Sequence, residues 1–363
     1  MEIGIIGLPN SGKSTLFKAL TGNDILIDIF PFSTVNPNIG VVEVPDERII
    51  KISEYIKPKE IRYVTIKFID LAGLVKGASK GEGLGNKFLS ETRRADGLLE
   101  VVRCFEDDRI PHIEGRLNPI NDIEIIHLEI AISDFEIVQK NFEKVDHSYK
   151  SGIKELKNEY EALKFAKENL NKGLWLNEVE YPNEFSEIYK KYNLLTIKPL
   201  IIIANVNEEY FIGEESDYVK KFVEYCKEKN YKFIIASLKL ELEIKNLNSS
   251  EKEAFLKEIN LEETILNKII KESYNILDLI TFFTYANDIL EAHSIKRGTL
   301  APQAAGKIHT DFEKGFIKAE VFNYQDLLRV QSIHELKEKG FIKIEGKGYE
   351  IKDGDIVYFK FNI

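Results

Sequence analysis

The sequence predicts an α/β protein in three parts, and three observations predict it. A glycine-rich turn, Gly7 to Thr15, stands between an apolar run and a helical pattern. A long series of apolar residues spaced three and four apart begins near Asp122. A tail from about Asp278 to Ile363 alternates short β-branched and aromatic runs with one helical stretch. The expected boundaries are a discontinuous core, 1–121 with 199–277, an inserted helical hairpin, 122–198, and a C-terminal domain, 278–363.

At 363 residues the chain is long enough for two or three domains. Its 44% hydrophobic and 30% charged residues describe a soluble globular protein. It contains no apolar run of membrane-spanning length. A strand begins almost at the first residue, so no signal peptide is expected. Cys104 and Cys226 both lie in apolar segments and read as reduced core residues of a cytoplasmic protein. The net charge of −10 argues against non-specific nucleic-acid binding by the whole chain, although it leaves room for a local basic face.

Ile3 to Ile6 reads as a buried strand, and Ser14 to Thr21 carries Leu16, Phe17 and Leu20 at helical spacing. Between them Gly7-Leu8-Pro9-Asn10-Ser11-Gly12-Lys13-Ser14-Thr15 has the spacing of a phosphate-binding loop. Gly7 and Gly12 permit turns that a side chain would block. The loop amides of Asn10, Ser11, Gly12 and Thr15 then converge on phosphate oxygens at a helix N-terminus. Lys13 reaches the β- and γ-oxygens as a catalytic cation, and the Ser14 hydroxyl ligates Mg2+.

Phe30-Pro31-Phe32-Ser33-Thr34 is a loop ahead of a strand at Gly40 to Val44, and Thr34 is the candidate to sense the metal and the γ-phosphate. Tyr63 to Ile69 is a strand ending in Asp70-Leu71-Ala72-Gly73. Asp70 would hold Mg2+ there, and the Gly73 amide would bind the γ-phosphate. Ras-like proteins carry a glutamine at the next position to orient the attacking water; here it is Leu74, which cannot hydrogen-bond. Four glycines between Gly77 and Gly85 predict a second switch loop.

Gly97 to Cys104 is another buried strand, followed by a charged loop, Arg103 to Arg109. Ile132, Phe135, Val138, Phe142, Val145 and Tyr149, then Ile153, Leu156, Tyr160, Leu163 and Leu170 after Ser151-Gly152, predict two amphipathic helices folded back on each other. A strand over Lys198 to Ala204 ends in Asn205-Val206-Asn207-Glu208, where guanine readers carry Asn-Lys-x-Asp. Val206 and Glu208 remove the guanine-specific pair, while the Asn205 amide suits a purine edge. The strand Lys232 to Ala236 leads to Ser237-Leu238-Lys239, whose amides can close over a base. Leu238 to Ile270 is acidic and helical. The tail places strands near 282–284, 316–321, 341–344 and 356–361, a helix over 304–310, and turns at Gly346 and Gly354.

These stretches carry a resemblance. GIIGLPNSGKSTLFKALT, FPFSTVNPNIGVVEVPDERI, FIDLAGLVKGASKGEGLGNKFL, VVRCFEDDRIPHIEGRLNPINDIE and APQAAGKIHTDFEKGFIKAEV resemble the YchF group of Obg-related ribosome-binding ATPases, in family order and across nearly the whole chain. The resemblance implies a Ras-like nucleotide domain interrupted by a helical hairpin and followed by a β-grasp TGS domain. It implies ATP favoured over GTP and association with ribosomes. It carries phosphate binding to Asn10 through Thr15, Mg2+ ligation to Ser14 and Thr34, and base recognition to Asn205 and Val206. The apolar Leu74 is the family's own substitution. Asn207 stands where the family often has Asp.

The reading is a slow Mg2+-dependent ATPase acting as a ribosome-linked switch. A GTPase on the same fold, or a nucleotide-gated binding module with negligible turnover, remains open. Asn10 offers a neutral oxygen suited to K+ beside the phosphates, or braces the loop by bonding its own backbone. Lys296-Arg297, with Lys307 and His309, is the expected basic face for ribosomal RNA, against the plainer reading of a scattered solvated surface.

Overall fold

The computed structural model describes residues 1–22, 38–71, 89–213, 215–330 and 333–362. Two six-stranded sheets organise it. The first contains β1 (Glu2–Ile6), β2 (Asn38–Glu43), β4 (Thr65–Asp70), β5 (Gly97–Arg103), β6 (Leu200–Asn205) and β7 (Lys232–Ala236), in the order β2-β4-β1-β5-β6-β7. From β4 to β7 every pairing is parallel. All seven residues of β5 are buried, as a parallel strand covered on both faces requires. The register sets Ile5 beside Asp70, Ile6 beside Glu100, and Arg103 beside Asn205. The loops leaving β1, β4, β5 and β6 therefore emerge along one edge of the sheet, its carboxyl end, where such folds place ligands.

Among the described residues, the helices of about eight residues or more are α1 (Lys13–Thr21), α2 (Glu47–Ile56), α3 (Pro119–Lys150), α4 (Lys157–Leu170), α5 (Asn183–Lys191), α6 (Asp217–Glu228), α7 (Leu238–Lys245), α8 (Ser249–Glu258), α9 (Ile265–Asn275) and α10 (Ala301–Ile308). Asn118 caps α3 by accepting from the Asn121 amide, with Pro119 in the first turn. The chain reverses at Gly152, whose φ of 108° suits glycine, and α4 returns along α3. Ile126, Ile130, Val138, Leu163, Ala166 and the fully enclosed Trp175 form the core between them. Phe142, Tyr149 and Tyr160 form a ring ladder near the turn, Tyr149 stacked on Tyr160 at 4.8 Å. The patterning does not foresee α5, which adds Phe185 and Tyr189 to this core.

The second sheet runs β11 (Lys343–Glu345), β10 (Phe316–Asn323), β12 (Asp355–Phe361), β8 (Leu279–Ala286), β9 (Ile289–Lys296), β3 (Glu60–Arg62). β8 and β9 form an antiparallel hairpin over Asn287-Asp288, both at positive φ, the signature of a two-residue primed turn. Ala301, Ala304 and Ala305 of α10 pack on Ile280, Phe282, Ala319 and Val357.

The chain divides into two compact units, Met1–Val41 with Lys67–Leu266, and Val42–Ile66 with Asn267–Ile363. Residues 42–66, which the sequence assigned to the core, thus group with the C-terminal residues. The cause is long-range pairing: Glu60, Ile61 and Arg62 form a parallel ladder with Ile289, Leu290 and Glu291. Arg48 at the start of α2 bridges Asp46 and Asp353, each at 2.7 Å.

Candidate functional site

Along the carboxyl edge of the first sheet lies a cavity of about 750 Å³. Asn10, Gly12, Lys13, Ser14 and Thr15 line one end, and Asn205 to Glu209 with Ser237, Lys239 and Leu242 line the other. The turn that forms the first end depends on its glycines. A Cβ on Gly7, at φ 151°, would meet the Val101 carbonyl at 2.5 Å. One on Gly12, at φ 110°, would fall on the Asn205 side-chain nitrogen. Gly12 is also the N-cap of α1, and no side chain caps that helix. Its first N–H groups face the cavity end without an acidic competitor in the first turn.

Lys13 is 7% exposed and donates to the Leu8 carbonyl at 2.8 Å. Burial pushes its ammonium down to about 8, with Asp70 acting the other way. Ser14 Oγ lies 3.3 Å from an Asp70 carboxylate oxygen. Burial raises the Asp70 carboxyl, opposed by Lys13 and by hydrogen bonds from Ser14 and Asn38. A hydroxyl and a carboxylate beside a lysine are hard oxygen donors of the kind Mg2+ takes. Thr34, Gly73 and Leu74 lie outside the described residues.

At the other end, Asn205 is buried and its amide is engaged on both sides. Its nitrogen donates to the Ser11 carbonyl at 2.9 Å, and its oxygen accepts from the Leu238 amide at 3.2 Å. These two bonds tie the phosphate turn to the Ser237 turn and use one of the two N–H donors and one of the two lone pairs that the amide carries. Val206 is buried, its amide donating to Ala236. Glu208 pairs with Lys239 at 2.6 Å. Ser237 is 1% exposed, and its hydroxyl has no hydrogen-bond partner among the described residues.

Comparison with known proteins follows the same lines. Residues 2–134 match a family described as 50S ribosome-binding GTPase, and residues 279–362 match the YchF-GTPase C-terminal family, described as a protein of unknown function (DUF933). The ribosome-binding ATPase YchF of Bacillus subtilis (strain 168) is 43% identical over 100% of both chains. The chain belongs to the YchF family of ribosome-binding ATPases. The Escherichia coli O157:H7 member of that name is 41% identical over 100% of this chain and 99% of its own. The solved Schizosaccharomyces pombe YchF GTPase superposes with a TM-score of 0.87 at 36% identity, covering 99% of this chain and 97% of the other. A GTP-binding protein of Pyrococcus horikoshii OT3, at 20% identity and a TM-score of 0.61, shares the fold.

The cavity has a third wall, the charged loop that follows β5. Phe105, Glu106, Asp107, Arg109 and Ile110 line it. Arg103, 5% exposed at the end of β5, organises it by donating to the carbonyls of Phe105, Asp107 and Ile110 at 3.0, 3.3 and 2.8 Å. Its guanidinium also lies 4.6 Å from the Phe105 ring centre. Asn10 Nδ2 donates to the Pro111 carbonyl at 3.1 Å, so it braces this neighbouring loop rather than its own backbone. Position was the available signal: the loop leaves the strand beside the one that feeds the phosphate turn.

The expected basic face in the second unit is partly neutralised. Arg297 pairs with Asp278 at 3.2 Å, His309 lies 3.5 Å from Asp311, and Lys296 donates to the Leu277 carbonyl at 2.6 Å. No described helix is long and apolar enough to cross a membrane.

Proposed function

We propose that this protein binds ATP with Mg2+, hydrolyses it slowly to ADP and phosphate, and uses the nucleotide state to control association with ribosomes. One observation carries the reading: a single cavity holds the uncapped α1 terminus and Lys13 at one end and the Asn205–Glu208 turn with the unpartnered Ser237 hydroxyl at the other. In this reading the amides of Asn10 through Thr15 hold the phosphates. Lys13 exchanges the Leu8 carbonyl for phosphate oxygens. Ser14 and Asp70 would hold Mg2+, which supplies charge neutralisation at the transferring phosphoryl group. The Asn10 nitrogen is occupied by Pro111, which leaves its side-chain oxygen to serve K+ beside the phosphates. Val206, Glu208 and Ser237 face the base.

Two features favour adenine. Glu208 and Val206 replace the residues that read guanine. The Leu238 amide, a donor that would suit a guanine carbonyl, is already spent on Asn205. The names of the relatives also point to ribosomes, and several to ATP. The helical pair 122–198 and a TGS-type C-terminal domain are the proposed appendages, with ribosomal RNA contacted through the latter.

The test is a thermal-shift titration with Mg2+-ATP and Mg2+-GTP, followed by single-turnover hydrolysis with and without ribosomes in K+ and in Na+ buffers. Tighter ATP binding, by about tenfold or 1.4 kcal/mol, and slow turnover stimulated by ribosomes are expected. GTP binding tenfold tighter than ATP would replace this reading by that of a GTPase. Binding with no turnover under any condition would leave a nucleotide-gated module.

A further inference from the structure

A carboxylate alone is a poor reader of adenine. Guanine offers it two donors, the ring N1–H and the exocyclic amine, whereas adenine sets a bare N1 lone pair beside its N6 amine. Glu208 is not alone. It stands in the turn after β6, and Lys239 in the first turn of α7 holds its Oε1 at 2.6 Å. Both residues line the base end of the cavity. The pair sets an acceptor beside a donor, which is the complement of adenine's donor and acceptor.

We propose that the Glu208–Lys239 pair is the specificity-determining element for adenine: Glu208 accepts from the N6 amine, and Lys239 donates to N1. Guanine presents the reverse order there, a carbonyl oxygen and then an N–H. Each member of the pair would then meet its like, at a cost in desolvated polar groups left unpaired. The proposal rests on the nucleotide reading of this cavity. The surroundings support it in two ways. The Leu238 amide is occupied by Asn205, so that loop donor does not oppose the N6 amine. The side chains of Lys239 and Glu208 are 75% and 38% exposed, so as a surface ion pair they contribute little to folding and are free to turn towards a ligand.

The experiment is isothermal titration of Mg2+-ATP, Mg2+-GTP and Mg2+-1-deaza-ATP, in which a C–H replaces N1, into the full chain and its Lys239→Met and Glu208→Gln variants. Wild type should bind ATP about tenfold more tightly than 1-deaza-ATP, the scale of one hydrogen bond to a charged donor. Lys239→Met should lose ATP affinity and bind the two alike. Glu208→Gln should retain the N1 discrimination and narrow the gap between ATP and GTP. Equal wild-type affinity for ATP and 1-deaza-ATP, or an equal loss for both in Lys239→Met, overturns the proposal while the nucleotide reading stands. Failure of wild type to bind ATP overturns both.

Discussion

Lys13 shows how one residue couples burial to ligand chemistry. Its ammonium titrates near 8 because burial strips its water, and Asp70 only partly compensates. A bound triphosphate favours the charged form. Below about pH 8 that form is already present, so affinity should be flat. Above it, binding must take up a proton, and affinity should fall by up to about tenfold per pH unit. Titration calorimetry in two buffers of different ionisation enthalpy would detect the proton uptake, and constant affinity between about pH 7 and about pH 9 would show that burial does not bring the Lys13 ammonium down into this range. Lys13→Ala should abolish hydrolysis and weaken triphosphate binding while preserving the fold, because among the described residues Lys13 donates to one carbonyl, that of Leu8.

Buried polar anchors, rather than apolar contact alone, hold α3 to the first sheet. Asp134 is fully buried, accepting from Arg93 at 2.6 Å and from both the amide and the hydroxyl of Thr196 at 2.8 Å. His127, about two turns earlier on the same face, meets the fully buried Glu100 of β5 at 2.9 Å, while its carbonyl takes the Trp175 N–H. Such anchors fix the helix's rotation and height on the sheet. Removing one partner strands a buried cation, so Asp134→Ala should cost about 3 kcal/mol. Urea unfolding measures it, and a loss under about 1 kcal/mol would show that Arg93 finds another partner. The spacing of apolar residues announced this helix, yet its deeper face is built on Ile123, Ile126 and Ile130, upstream of the predicted series.

On the scale of the whole chain, a segment interposed between two strands of the nucleotide sheet is built into the other unit. α2 and β3 lie between β2 and β4 in sequence. Within the second unit, Asp353 accepts from Arg48 at 2.7 Å and from the Thr281 amide at 2.9 Å. Asp353→Ala should therefore destabilise that unit by about 1–2 kcal/mol, half of it from the unpaired Thr281 amide. A denaturation midpoint unchanged from wild type would mean that the β3–β9 ladder alone holds the segment. The same grouping bears on truncation: deleting 278–363 would leave α2 and β3 without their partners, so loss of ribosome association in that variant needs Asp353→Ala as its control.

The sequence by itself determined the phosphate turn, the ends of the buried strands and the existence of the long helices. The reason is that each is written in neighbouring residues. A glycine forced to positive φ, a run of apolar residues, or a spacing of three and four is a local property that needs no partner to be read. Tertiary structure alone decided three things. It took Glu60 to Arg62 out of the nucleotide unit and paired them with β9, a ladder whose partners share no period in the chain. It spent the Asn205 amide on two loops, a choice that depends on how closely those loops meet. It also turned Arg103 inward to build a cavity wall from three carbonyls. Backbone carbonyls leave no mark in the sequence, so a side chain that reads them cannot be found there.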